Sequence, residues 1–360
     1  MHAWRTLVHV CRKWRSLAFG SPRRLSLWLC YKARTSLKKT LEVWPPLPIV
    51  IWVESPRIWG VNKDNVIVAL KHNDRICRID LWDFPSSQFE NVLEVMQQPF
   101  PTLSFLVLGL EETVPVIPAS FLGGSTAHLQ TLALDYIPFP GLPKLLLSAT
   151  HLVYLYLWRI PQSGYFPPEV MVNCLSVLTR LEVLKFGFKS PRSSVDQNSR
   201  YPPPSTRTLL PVLNEFRFRG VSEYLEELVA RIDAPLLDDF SVIFFHKPTF
   251  DTSQLARFIG RTPNVKAHDE ARVNFILREV SVTLPRTFNR SLKLGISYKR
   301  ASLQLSSLAR VCISSFPQRP FFKVSFPQWN TSISSGMKDG IGKMTLGTAN
   351  GWNFYIHLRP

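Results

Sequence analysis

The stretch Leu129-Gln-Thr-Leu132-Ala-Leu134-Asp-Tyr-Ile137 constrains the fold of this chain more than any other, because the sequence keeps rewriting it. Written Φ-x-x-Φ-x-Φ, with Φ any large apolar residue, it recurs as Ile76-x-x-Ile79-x-Leu81, Leu103-x-x-Leu106-x-Leu108 and Leu152-x-x-Leu155-x-Leu157. It continues as Leu181-x-x-Leu184-x-Phe186, Leu213-x-x-Phe216-x-Phe218 and Leu237-x-x-Phe240-x-Val242. The gaps between starts are 27, 26, 23, 29, 32 and 24 residues. Such a period marks a repeat array, and the two longest gaps read as loop insertions.

In Φ-x-x-Φ-x-Φ the last two apolar positions lie two apart, the strand period that puts both on one face. The first packs the turn leading in. Three such side chains contribute about 1.5–3 kcal/mol each when fully covered, whereas ordering a unit of about 25 residues costs about 1–2 kcal/mol per backbone residue. One unit therefore cannot stand alone; stacked neighbours close a continuous core. The spacing predicts an α/β fold, a leucine-rich-repeat-like solenoid or horseshoe. Its parallel strands would line the concave face, with helices or irregular connectors on the convex face. The alternative is an ordinary α/β domain with a scattered set of Leu-rich strands.

Helical patterns fill the connectors. Ser87-x-x-Glu90 reads as a capping box before Phe89, Val92, Leu93 and Met96. Pro167-Pro168-Glu169 opens a helix carrying Val170, Met171, Cys174, Leu175 and Leu178. Ser222 reads as the cap of a helix with Leu225, Leu228, Val229 and Ile232, and residues 251–262 repeat the plan with Leu255, Phe258 and Ile259. Residues 190–204 form a Ser/Pro/Arg-rich excursion, expected to be a loop.

Five cysteines (Cys11, Cys30, Cys77, Cys174, Cys312) are odd in number and never form C-x-x-C. That argues for buried thiols in a reducing compartment, cytoplasmic or nuclear, rather than a disulfide framework or a zinc site. No apolar run reaches 18 residues, so no membrane span is expected. The net charge is +17, of which +9 falls in residues 1–50. A basic end of this kind points to an acidic partner, whether nucleic acid, lipid or protein, or to a solvated face with no dedicated partner.

Residues 3–19 follow an amphipathic helix pattern, with Trp4, Leu7, Val8, Cys11, Trp14 and Ala18 on one stripe. The run from Trp4 to Leu27, "WRTLVHVCRKWRSLAFGSPRRLSL", resembles the second half of an F-box followed by a first strand, with Val10-Cys11-Arg12-Lys13-Trp14 matching V-C-[RK]-x-W. Beyond it, "VWPPLPIVIW" at 43–52, "NVIVALKHNDRICRIDL" at 65–81, "FPGLPKLLLSATHLVYLYL" at 139–157 and "EYLEELVARIDAPLLD" at 223–238 resemble F-box/leucine-rich-repeat proteins expanded in mushroom-forming fungi. The similarity runs from about 4 to 313. It implies a substrate-recognition adaptor of a cullin–RING (SCF) ubiquitin ligase, in which Trp4, Leu7, Val8, Cys11 and Trp14 would face the adaptor subunit. It also implies that the first F-box helix, which carries much of that contact in the family, is missing. The expected organisation is a truncated F-box-like segment at 1–21, a repeat domain at 22–315 and an irregular tail at 316–360, either disordered or read in a shifted frame.

Enzyme signatures are lacking: no G-x-x-x-x-G-K-[ST], no G-x-G-x-x-G after a strand, no H-E-x-x-H and no G-x-S-x-G. Gly123-Gly124-Ser125 reads as a tight turn, and no catalytic residue, metal ligand or cofactor site is assigned. What remains is a binding face. Residues between the apolar strand positions should point out of the concave surface: Asp80, Trp82, Val107, Ala133, Asp135, Tyr156, Trp158, Lys185, Arg217, Arg219, Ser241 and Ile243. Trp, Tyr and Arg are the usual anchors of interfaces. The expected partner is a protein held on Asp80, Trp82, Asp135, Tyr156, Trp158, Lys185, Arg217 and Arg219; the same side chains could instead pack beneath a neighbouring loop or repeat. A basic nucleic-acid-associated repeat protein is the rival function, and a non-functional fragment of an expanded gene family the third.

Overall fold

The recurring apolar triplets become the spine of one sheet. The computed structural model describes residues 10–20, 27–30, 41, 47–52, 63–82, 86–110, 116–190, 207–245, 253–266, 270–276, 279–284 and 351–357. Its strands are β1 (Leu27–Cys30), β2 (Ile49–Trp52), β3 (Ile76–Leu81), β4 (Phe105–Gly109), β5 (Thr131–Asp135), β6 (Tyr154–Ile160) and β7 (Val183–Phe188). There follow β8 (Thr208–Leu209), β9 (Glu215–Gly220), β10 (Ile232–Asp233), β11 (Asp239–Phe245), β12 (Glu270–Ile276), β13 (Glu279–Leu284) and β14 (Gly351–His357). Strands β1 to β7, β9 and β11 lie in sequence order and pair in parallel. Strands β13, β12 and β14 then continue the 12-stranded sheet antiparallel, while β8 and β10 pair separately.

Register follows the sequence motif. Leu106, Leu132, Leu155, Leu184, Phe216 and Phe240 are successive partners, as are Leu108, Leu134, Leu157, Phe186, Phe218 and Val242. Every Φ residue of the seven triplets is at most 3% exposed. In six of the seven triplets the first Φ closes the same turn, its N–H donating to the carbonyl three residues back at Leu103, Leu129, Leu152, Leu181, Leu213 and Leu237. A second device repeats beside it. The carbonyl of Ser104 accepts from Gln130 and Thr131, that of Gln130 from Val153 and Tyr154, and that of Val153 from Glu182 and Val183. These shared acceptors fix each strand against the one before.

The helices are α1 (Arg12–Phe19), α2 (Lys63–Leu70), α3 (Ser86–Val95), α4 (Leu142–Ser148), α5 (Pro168–Val177), α6 (Ser222–Ala230), α7 (Ser253–Arg261) and α8 (Pro263–Lys266). Phe89, Val92, Leu93 and Met96 of the α3 region, Met171, Cys174 and Leu175 of α5, Leu225, Leu228 and Val229 of α6, and Leu255 and Phe258 of α7 are buried in one cluster with the Φ side chains. The Φ face of the sheet is therefore the core face, and the alternate positions look the other way.

Several local details differ from the sequence expectation. Ser222 lies inside the first turn of α6, where its hydroxyl donates to the Glu223 carboxylate rather than capping; Val221 occupies the cap. The start of α7 is capped from another element: the Glu226 carboxylate of α6 accepts from the N–H groups of Gln254 and Leu255 at 2.7 and 2.9 Å. A carboxylate there meets both the orphan donors and the positive end of the helix dipole. Gly123 and Gly124 have φ of 67° and 74°, left-handed values suited to glycine, and make the expected tight turn. Within 316–360, expected to be irregular, Gly351–His357 forms β14, pairing Trp352 with Phe275, Phe354 with Val273 and Ile356 with Ala271. The alternation of Trp352, Phe354 and Ile356 is the period-two signal that accounts for it.

Candidate protein-binding face

Opposite the helices, the sheet presents three in-register rows. One is Arg78, Phe105, Thr131, Tyr154, Val183, Glu215 and Asp239. The second is Asp80, Val107, Ala133, Tyr156, Lys185, Arg217 and Ser241; the third runs Gly109, Asp135 and Trp158 and, across a shift of register after Leu157, Gly187, Arg219 and Ile243, with Trp82 just past the end of β3. The candidate residues Asp80, Trp82, Asp135, Tyr156, Trp158, Lys185, Arg217 and Arg219 thus share one surface.

Their exposure is uneven. Trp82 is 37% exposed and Tyr156 and Trp158 are half-buried, whereas Ala133, Asp135 and Ser241 are buried. Asp135 is therefore not an open groove residue. Its carboxylate accepts from Arg159 Nε at 2.6 Å, and its side chain is only 4% exposed. Strand parity gave its direction correctly; what sequence parity cannot see is a cation reaching across from the next strand. Arg159 itself sits at φ 49°, and Tyr136, just after Asp135, at φ 66°.

Most of the remaining charges are likewise paired. Arg78 pairs with Asp80 at 3.1 Å and lies 3.6 Å over the Phe105 ring. Lys185 meets Glu215 at 3.1 Å, and Arg217 lies 2.7 Å from Glu215 and 3.7 Å from Asp239. The Glu215–Arg217 contact is an ion pair outside hydrogen-bond alignment. Arg219 stacks 5.0 Å over Phe245. Read as open charge, the stripe would run from acidic to basic; in the fold each of its carboxylates meets a cation.

The aromatic centre is built from large rings beside missing side chains. Trp82 lies across Gly109, where an added Cβ would stand 2.9 Å from the indole, and Trp158 lies across Gly187, where a Cβ would stand 3.0 Å from its ring. Ring centroids of Trp82 and Tyr156 are 6.3 Å apart, and those of Tyr156 and Trp158 are 5.9 Å apart with planes 25° from parallel. Burial first, then the neighbouring Asp135 carboxylate, pushes the Tyr156 phenol well above its ordinary range, so it stays protonated. Glycines at two alternate-face positions were visible in the sequence, and their pairing with Trp82 and Trp158 is the signal sequence reasoning missed.

Of the F-box-like residues, Trp4, Leu7 and Val8 lie outside the described residues. Cys11 and Trp14 are exposed, and the exposed apolar stripe of this region is Val10, Trp14 and Leu17 at 64%, 48% and 57%. Cys77 and Cys174 are free thiols, each pushed up chiefly by burial, Cys174 to about 11. Among the described residues no group of three His, Cys, Asp or Glu could hold a metal ion. Among them, too, no helix is long and apolar enough to cross a membrane. No protein-family model, curated protein or solved structure matches the chain.

Proposed function

We propose that this chain is a non-enzymatic protein-interaction scaffold, a leucine-rich-repeat-type solenoid that holds a partner protein on the outward face of its sheet. The observation that carries the proposal is the run of neighbouring rings Trp82, Tyr156 and Trp158 on a face whose carboxylates are already paired with cations. Large rings kept partly solvent-accessible beside glycine are the chemistry of an anchor rather than of catalysis. The sequential order of the parallel strands and the repeated turn hydrogen bonds support the solenoid.

We further propose that the N-terminal helix tethers the scaffold to the adaptor subunit of a cullin–RING ubiquitin ligase. The resemblance of residues 4–27 to an F-box supports this, as does the exposed stripe Val10, Trp14 and Leu17. The mechanism is proximity: holding a substrate lysine near the ligase raises its effective concentration with no chemistry from this chain. Size-exclusion chromatography of the chain with purified adaptor subunit tests the tether. A co-eluting complex that Trp14→Glu abolishes is the expected result, and separate elution of the unaltered chain rejects the ligase role.

A further inference from the structure

We infer that the segment captured on this face is extended and proline-rich, in the polyproline II conformation; the inference rests on reading the face as an interaction surface. Charge comes first. In the three outward rows the ion pairs above join Arg78 to Asp80, Lys185 and Arg217 to Glu215 and Arg217 to Asp239, while Asp135 is held by Arg159, so every acidic side chain of the rows already meets a cation. An acidic or a basic segment would have to break pairs already made, whereas an uncharged one meets the face as it stands.

Hydrogen-bonding chemistry narrows the occupant further. Trp82 and Trp158 carry indole N–H groups that can only donate, and Tyr156 keeps its phenolic proton. Among the described residues none of these three groups makes a hydrogen bond. The face thus offers apolar rings edged by donors. A polyproline II segment offers the complement: its backbone has no internal hydrogen bonds, so its carbonyls are free to accept, and proline brings no N–H in need of an acceptor. A helical segment would satisfy its own carbonyls, and an added strand would need a free sheet edge rather than this face.

Dimension agrees. Spacings of 6.3 and 5.9 Å make the ring row at most about 12 Å long, and one polyproline turn advances about 9 Å. One to two turns therefore cover the row, bringing proline rings onto the aromatic rings and intervening carbonyls near Tyr156. The rings are pre-positioned over Gly109 and Gly187, and polyproline II is itself pre-formed, so little ordering entropy is lost on either side.

The test is fluorescence anisotropy with a labelled oligoproline of about ten residues, roughly three turns, beside proline-free acidic, basic and aliphatic peptides of equal length. Saturable binding of oligoproline alone is expected. Trp158→Ala should weaken it by about thirtyfold, the loss typical of an aromatic anchor. Tyr156→Phe, which keeps the ring and the fold, should weaken it by about three- to tenfold through the lost donor. Oligoproline that does not bind, or that binds all variants equally, overturns the inference. If another peptide class binds and is lost in Trp158→Ala, the proline specificity fails while the interaction face stands. If no peptide responds to either substitution, both fail.

Discussion

Gly109 and Gly187 do for the aromatic run what no large residue could. A Cβ at Gly187 would sit 3.0 Å from the Trp158 ring and 2.8 Å from the Arg219 Cβ, closer than side chains tolerate. Gly187→Ala should therefore cost about 1–3 kcal/mol of stability through overpacking and lift Trp158 off the sheet. Urea denaturation measures the first effect and acrylamide quenching of indole fluorescence the second; unchanged stability and quenching would show that the ring has room. Asp135 makes a second residue-scale case. Asp135→Ala leaves the Arg159 guanidinium without this carboxylate, and because Arg159 is 38% exposed the cost should be at most about 1–2 kcal/mol in a thermal melt. A melt identical to that of the unaltered chain would mean the pair is incidental. The direction of Asp135 could be read from strand parity, since period-two alternation depends only on local backbone. Its burial could not, because Arg159 lies 24 residues away and reaches it only once the strands are in register.

Between elements, the informative contact joins α5 to α6. Arg231, just past α6, meets Glu169 of α5 at 3.3 Å and Glu227 of α6 at 2.8 Å, with the buried Tyr224 hydroxyl close to both carboxylates. Glu227 is pushed up to about 7, by burial and then by its hydrogen bond to Glu169, while that same hydrogen bond, first among several causes, holds Glu169 below its usual range. A carboxyl with a raised folded-state pKa binds more protons when folded than when unfolded, so stability falls as pH rises. The window runs from the ordinary value of 4.5 to about 7. Glu169 acts in the opposite sense, but its contribution is lost only below its own lowered pKa. Glu227→Gln, a mimic of the protonated form, should match the unaltered chain near the acid end of that window and melt higher above it. Calorimetry at both ends reads the difference; an equal gap at the two pH values would remove the shared proton from the account. Such helix interiors were legible from 3.6-residue periodicity, down to Met171, Cys174 and Leu175. The cap of α7 was not, because its acceptor, Glu226, belongs to a different helix. Nor was the antiparallel pairing of β12 and β13: Leu277-x-x-Val280-x-Val282 fits Φ-x-x-Φ-x-Φ, but the pattern does not fix strand direction.

At the scale of the molecule, sequence order is spatial order. From β1 to β7, then β9 and β11, each strand pairs with the one before and the one after. The repeat made this legible, because one apolar triplet per unit can be buried only by its neighbours. Stability along such a ladder is close to a sum of unit and nearest-neighbour terms, so damage should spread from where it is made. Leu155 lies near the middle of the ladder, fully buried and paired with Leu132 and Leu184. Ile51 lies near one end, also fully buried, between Leu29 and Ile79. Leu155→Ala should cost about 2–5 kcal/mol and lower amide protection on both sides, since opening β6 parts the sheet in two. Ile51→Val, a smaller truncation of about 0.5–1.5 kcal/mol, should lower protection in β1 to β3 and leave β7 to β11 unchanged. Native-state hydrogen exchange distinguishes these patterns. If the Ile51 substitution lowers protection uniformly out to β11, the sheet opens as one cooperative unit and the nearest-neighbour account is wrong. If its effect fades over two or three strands, the middle of the ladder, where Trp82, Tyr156 and Trp158 are gathered, is also its most protected part, and the rings are held in place where local opening is rarest.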